Sequence, residues 1–220
     1  MEKLLITIDG PAGAGKTTVS RQLAERLGYT YIDTGALYRA VAYEVRARGG
    51  DADDDQELAK ICGGLEIAFV LKDGGLRLMS NQVDITDRIR TPEITMLASA
   101  VSARPVVRKF LFGLQRDLGE KRGVVFEGRD MGTVVFPEAD VKFFLSAPAD
   151  TRALRRYQEL AGKTSATLAE VAADLNRRDK NDSSRELAPL KPAEDAIRID
   201  SSNLSIHEVV DLMISHIEGA

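Results

Sequence analysis

The run Gly10-Pro11-Ala12-Gly13-Ala14-Gly15-Lys16-Thr17 constrains this chain more than any other feature. It matches G-x-x-x-x-G-K-[ST], with an apolar segment over 4–9 before it and a helical pattern over 16–27 behind it, stopped by Gly28. A strand that turns through glycines into a helix directs backbone N–H groups at an anion, and the helix N-terminus adds partial positive charge. Lys16 can then reach the β- and γ-phosphates of a nucleotide, and Thr17 can offer its hydroxyl to Mg²⁺. Gly10, Pro11, Ala12, Gly13, Ala14, Gly15, Lys16, Thr17 and Thr18 are the expected phosphate-binding residues, and Thr17 is the expected metal ligand. The plainer alternative is a glycine turn that only joins a strand to a helix. With glycine near ~7% of residues, the full pattern arises by chance in roughly one per cent of chains of this length, and the flanking strand and helix lower that further.

The rest of the chain repeats the alternation. Strands are predicted over 29–33, 123–127, 141–145 and 196–200, and a second helix over 36–48. Thr167 with Glu170, and Ser205 with Glu208, form capping boxes, and Thr91-Pro92 puts proline at a first helical position. Short apolar strands separated by helices predict an α/β fold: a five-stranded parallel sheet with helices on both faces. One stretch breaks the rhythm. Residues 65–71, 76–80 and 82–86 read as strands with no helix between them, turning at Asp73-Gly74-Gly75 and at Asn81. A small antiparallel insert is therefore expected over 63–90. The acidic run 51–55 reads as a solvated loop and helix start rather than a metal site.

Charge and cysteine content limit the partners. Thirty basic residues against 34 acidic give a net charge of −4, with no basic excess for general nucleic-acid binding. The single cysteine, Cys62, excludes a disulfide framework and reads as a small buried residue, while His207 and His216 are too few for most zinc sites. Met79, Met96, Met131 and Met213 read as packing residues. No apolar run reaches the ~18 residues of a membrane span, and the first ten residues turn polar too soon for a signal peptide. The expectation is a cytoplasmic protein, a monomer, with no nucleic-acid or membrane partner.

Arginines then point to a second anionic substrate. Arg39 follows the second strand and Arg129 the 123–127 strand, and ligands of doubly wound sheets lie beyond the carboxyl ends of strands. A guanidinium suits two phosphate oxygens at once. Arg155 and Arg156 are further phosphate candidates. A phosphate monoester acceptor has a second pKa of about 6 and needs no general base. A hydroxyl acceptor would want one, and Asp130 is then the candidate. No Asn-Lys-x-Asp guanine signature is present, though a nucleotide-dependent binding module without turnover stays open.

Three further stretches complete a pattern: Asp33-Thr34-Gly35-Ala36-Leu37-Tyr38-Arg39; Glu127-Gly128-Arg129-Asp130-Met131-Gly132-Thr133-Val134-Val135-Phe136-Pro137; and Arg178-Asp179-Lys180-Asn181-Asp182-Ser183-Ser184-Arg185 with Ala188-Pro189-Leu190. With the glycine loop, these run in order over nearly the whole chain, which resembles the bacterial cytidylate kinases among the P-loop nucleoside monophosphate kinases. The resemblance implies transfer of a phosphoryl group from ATP to CMP or dCMP, with Mg²⁺ as the cofactor. It implies Lys16, Arg39, Arg129, Arg155, Arg178 and Arg185 as catalytic residues. It implies Thr34, Tyr38, Arg39, Ser99, Arg108, Arg129, Asp130, Arg178 and Asp182 as the CMP-binding set, with Ser99, Arg108 and Asp130 reading the base. It further implies one kinase domain with core segments 1–34, 105–150 and 190–220. The monophosphate-binding region would be 35–104, and a short lid near 161–165 would lie among flanking helices over 151–189. Cytosine specificity rests on the resemblance alone.

Overall fold

The computed structural model describes residues 3–72, 75–162 and 165–219. Along the chain, β1 (Leu5–Asp9) leads into α1 (Lys16–Leu27), and β2 (Thr30–Asp33) into α2 (Thr34–Ala47). α3 (Asp55–Gly63) precedes three strands, β3 (Ile67–Lys72), β4 (Gly75–Ser80) and β5 (Val83–Asp84). α4 (Pro92–Val101) and α5 (Pro105–Glu120) follow, then β6 (Val124–Gly128), a π-helical turn over Met131–Val135, and β7 (Val141–Ser146). α6 (Ala149–Leu160), α7 (Leu168–Ser183), β8 (Ile197–Asp200) and α8 (Ile206–Glu218) complete the described elements. Two compact units contain them: the residues through Asp33 with those from Leu118 onward, and Thr34–Asp117.

The first unit is built on a parallel sheet in the order β2-β6-β1-β7-β8. All five residues of β1 and of β6 are buried, as in a parallel sheet covered on both faces, with Thr7, Asp9 and Glu127 the polar members among them. Ile6, Ile8, Val125, Phe143 and Leu145 of the sheet pack with Val19 and Leu23 of α1 and Val209, Val210 and Met213 of α8. Each such side chain contributes roughly 1.5–3 kcal/mol by leaving water. Gly28 ends α1 in the left-handed region, its N–H donating to the carbonyls of Ala24 and Glu25. Both predicted capping boxes form, at Thr167 for α7 and Ser205 for α8. In the register of the sheet Ile8 pairs with Glu127 and Asp9 with Gly128, so the carboxyl ends of β1 and β6 lie side by side. That is where the glycine loop leaves the sheet.

The second unit carries the antiparallel insert, with strand order β3-β4-β5. Its core combines Leu37, Val41 and Val45 of α2 with Leu58 and Ile61 of α3, Ile94 of α4 and Leu111 of α5. Asp54 caps α3 by accepting from the N–H groups of Gln56 and Glu57, as a helix start in the acidic run requires. Thr91 caps α4, with Pro92 at its first position. Two expectations are corrected. Residues 82–86 are not all strand: Asn81 and Gln82 both have positive φ, at 45° and 67°, because a two-residue hairpin turn needs two such residues, and β5 is left with Val83 and Asp84. Met96 is 39% exposed, so it does not serve as a core residue. Cys62 is buried, and burial pushes its thiol up. Asp73 and Gly74 of the expected turn, and Lys163 and Thr164 of the expected lid, lie outside the described residues. Among the described residues no helix is long and apolar enough to cross a membrane.

Candidate active site

In the first unit, the chain leaves β1 at Gly10 and must turn at once beneath β7. Gly10 has φ 150°, and a Cβ there would stand 2.0 Å from the carbonyl oxygen of Leu145. Gly13 (φ 76°) and Gly15 (φ 87°) are left-handed, and Gly15 occupies the N-cap position of α1 with no side chain to satisfy the first helical N–H groups. Those donors and the helix dipole suit an anion. Asp179 of α7 accepts from the N–H of Ala12 at 3.2 Å. Arg152 of α6 donates to the Ala12 carbonyl at 2.9 Å and to the Asp179 carboxylate, so the crest of the loop is held by two helices.

Lys16, 4% exposed, donates from Nζ to the Pro11 carbonyl at 2.7 Å. Burial, with Arg129 next in weight, lowers its pKa to about 7 against the pull of Glu127 and Asp9. Half-buried Arg129 loses some hydration, but Asp182 and Glu127 outweigh that cost and favour its charged form. Its Nε donates to Asp182 Oδ2 at 3.0 Å, and Arg185 donates to Asp182 Oδ1 at 2.5 Å. The charge of Arg178 also reaches Lys16. The structure thus brings Lys16, Arg129, Arg178, Asp182 and Arg185 together near the loop. Asp130 is buried beside Asp9. Arg155 donates to Ser201, at 3.0 Å to Oγ and 2.7 Å to the carbonyl oxygen. Arg156 pairs with Glu159 on the surface, and Thr18 is exposed.

Three carboxylates escaped the sequence reading. Asp9 accepts from the N–H groups of Met131 at 3.0 Å and Gly132 at 2.8 Å, tying the end of β1 to the turn after Arg129. Burial raises its pKa to about 6 even so. Glu127 accepts from the Thr17 hydroxyl at 2.9 Å and the Tyr31 hydroxyl at 2.5 Å. Asp179 is the third. The signal available for Asp9 and Glu127 was their place at the carboxyl ends of adjacent strands. For Asp179 only its helical spacing from Asp182 offered one.

Thr34, Tyr38, Arg39, Ser99 and Arg108 belong to the second unit. Thr34 and Tyr38 are buried on α2. The Arg108 guanidinium carbon lies 5.8 Å from the centre of the Tyr38 ring. Arg108 also donates to the Ser102 carbonyl at 3.2 Å, and Ser102 Oγ donates to the Ser99 carbonyl at 2.8 Å. Ser99 Oγ is buried and makes no hydrogen bond among the described residues. A buried hydroxyl in that state costs about 1–3 kcal/mol, which a polar ligand would recover. The expected residues thus form two sets, one in each unit.

Among the described residues no three His, Cys, Asp or Glu side chains are grouped to cage a metal. The first unit instead offers one hydroxyl, Thr17, whose proton points at Glu127, beside that one carboxylate. Hard oxygen donors in so small a number fit Mg²⁺, which is held largely by water and substrate phosphates.

Comparison with known proteins follows the same lines. A family model described as cytidylate kinase matches residues 6–219. A cytidylate kinase of Geobacter sulfurreducens is 54% identical over 96% of this chain and 91% of its own length. One from Pasteurella multocida is 44% identical over 98% of this chain and 96% of its own. Among solved structures, a gluconokinase from Sinorhizobium meliloti aligns over 98% of this chain and 92% of its own with a TM-score of 0.52 and 13% identity, a likeness of fold alone.

Proposed function

The chain belongs to the cytidylate kinase family, and on that premise we propose how its residues pass the γ-phosphoryl group of ATP to CMP or dCMP, giving ADP and CDP or dCDP. The observation that carries the proposal is the glycine loop with buried Lys16 and half-buried Arg129 beside it, in a chain 54% identical to a cytidylate kinase. Phosphoryl transfer asks for positioning and charge neutralisation more than for covalent chemistry. Gly10, Pro11, Ala12, Gly13, Ala14, Gly15, Lys16, Thr17 and Thr18 bind ATP. Lys16, Arg39, Arg129, Arg178 and Arg185 neutralise phosphate charge in the transition state. Arg155, which also donates to Ser201, joins them. Thr17 would hold Mg²⁺, with Glu127 behind it accepting the Thr17 proton, and the ion when bound would neutralise phosphate oxygens of ATP.

CMP is the proposed ligand of Thr34, Tyr38, Arg39, Ser99, Arg108, Arg129, Asp130, Arg178 and Asp182. Its phosphate is mostly a dianion at pH 7, so the attacking oxygen needs no base, and Asp130 is left to read the cytosine amine. Uracil would set a carbonyl against that carboxylate, at a cost of roughly 1–3 kcal/mol. The unpartnered Ser99 hydroxyl supports a polar base beside it. We also propose a monomer in the cytoplasm, acting on these nucleotides without nucleic-acid or membrane partners.

A coupled ADP-release assay with a panel of nucleoside monophosphates tests this function. Fast turnover is expected with CMP and dCMP. Turnover indifferent to CMP, or a product phosphorylated on a sugar-type hydroxyl, would point instead to a metabolite kinase with Asp130 as base. Arg108→Ala is expected to raise KM for CMP by roughly 10–100-fold, the worth of a hydrogen bond to a charged group, with KM for ATP little changed. Equal losses for both nucleotides would remove Arg108 from the CMP set.

The lowered pKa of Lys16 gives a pH dependence of known sign. Near pH 8 the empty protein holds Lys16 mostly neutral, since its pKa is about 7. The phosphates of ATP favour the charged form and draw a proton on. Binding should therefore take up to about one proton near pH 8, and affinity should fall as pH rises from about 7 to 9. Calorimetry in buffers of different ionisation heat measures the uptake. Proton release, or affinity rising over that range, would contradict the role of Lys16.

A further inference from the structure

We propose that Tyr31 is a positioning residue for the metal end of the glycine loop: its hydroxyl holds the Glu127 carboxylate against Thr17, so that the Thr17 oxygen keeps its lone pairs for Mg²⁺. This rests on the reading of the loop as a Mg²⁺-ATP site. A hydroxyl has one proton to give, and Thr17 gives its proton to Glu127 Oε1 at 2.9 Å. Both lone pairs of that oxygen are then left for a cation. That direction depends on where Glu127 stands, and Glu127 is pinned from its other oxygen by Tyr31 at 2.5 Å. Tyr31 reaches it across the sheet. It sits opposite Val125 in the β2–β6 register, and Glu127 is two residues further along β6 on the same face.

The ring is fixed as well. The guanidinium carbon of Arg21 lies 5.4 Å from its centre. Arg21 stands four residues after Thr17 on α1, on the same side of the helix. A closed circuit results, from Thr17 to Glu127 to Tyr31 to Arg21 and back along α1. Neither Tyr31 nor Arg21 belongs to the nucleotide- or metal-binding residues proposed above, so both act through Glu127.

Calorimetric titration of ATP into the full chain, with and without Mg²⁺, tests this with Tyr31→Phe, Glu127→Gln and the double variant; thermal melting checks that each is folded. Phenylalanine fills the same space and lacks only the hydroxyl. Metal-free ATP should bind Tyr31→Phe as it binds the wild type. The gain in affinity on adding Mg²⁺ should fall about tenfold, at the low end for outer-shell partners of metal ligands. Glu127→Gln should lose more, and the double variant no more than Glu127→Gln alone. A full Mg²⁺ gain in Tyr31→Phe, or losses that multiply in the double variant, would overturn the proposal. Should Tyr31→Phe not fold, Arg21→Met at an exposed position carries the same test, with an expected loss of about two- to threefold and overturn by an unchanged gain. A wild type that binds no ATP, or binds it without regard to Mg²⁺, would instead sink the Mg²⁺-ATP reading, and this inference with it.

Discussion

Lys16→Met is expected to lower kcat by at least ~10³-fold while leaving the protein folded and no less heat-stable. The size follows from removing a cation set at the transferring phosphate, by comparison with arginines that stabilise the same transition-state charge. The sign of the stability effect follows from burial. Lys16 is 4% exposed and its charge is disfavoured where it sits, so an apolar side chain of similar length relieves a penalty rather than adding one. Arg129→Ala should lose a comparable factor in rate and also lose stability. It leaves Asp182 and Glu127 short of the guanidinium that now compensates them. Steady-state kinetics and melting curves on both variants separate these outcomes. Near-normal turnover in both would mean that the phosphate-handling groups lie elsewhere.

Gly10→Ala carries the largest expected effect on the fold. The new Cβ would come 2.0 Å from the Leu145 carbonyl oxygen, at a φ of 150° that an L side chain rarely adopts. Neither partner in that clash can swing aside. The Cβ is fixed to its Cα and the oxygen is backbone, and β1 and β7 are paired from Ile6↔Val141 to Asp9↔Phe144. Relief requires the strands to part where the phosphate loop begins. The expected cost is roughly 3–5 kcal/mol, in the range of severe single substitutions. At about 2–4 °C per kcal/mol for a chain of this size, Tm should fall by roughly 6–20 °C. Gly15→Ala makes the contrast. No atom lies within 4 Å of its added Cβ, so only the left-handed φ of 87° is charged, at about 1–2 kcal/mol. Equal stability losses at the two positions would contradict the close approach at Gly10.

What could be read from the chain before its structure was known had local physical causes. The glycine loop, the Gly28 stop, the capping boxes at Thr167 and Ser205, and the buried strands are each written in a few adjacent residues. Contacts across the chain were not legible. The π-helical turn at Met131–Val135 has no periodic signature of its own; Asp9, 122 residues earlier than Met131, holds it by accepting two of its N–H groups. The tie between Arg152, Asp179 and Ala12 joins α6, α7 and the loop, and no spacing rule predicts it. That Arg155 donates to Ser201, 46 residues on, is likewise invisible in position along the sequence. Gln82 looked like a strand residue because the turn that needs its positive φ is read most easily from asparagine or glycine. Preference for cytosine came only from resemblance, since hydrogen-bond patterns on a base leave no periodic trace.

Phosphorus NMR of ATP mixed with an equal amount of CMP, followed in the presence of the protein and Mg²⁺, watches the phosphoryl group itself move. The γ-phosphorus signal of ATP should fade as the β-phosphorus signal of CDP grows, one for one with ADP and with no inorganic phosphate. Inorganic phosphate in place of CDP, or ATP consumed at the same rate without CMP, would contradict transfer to CMP.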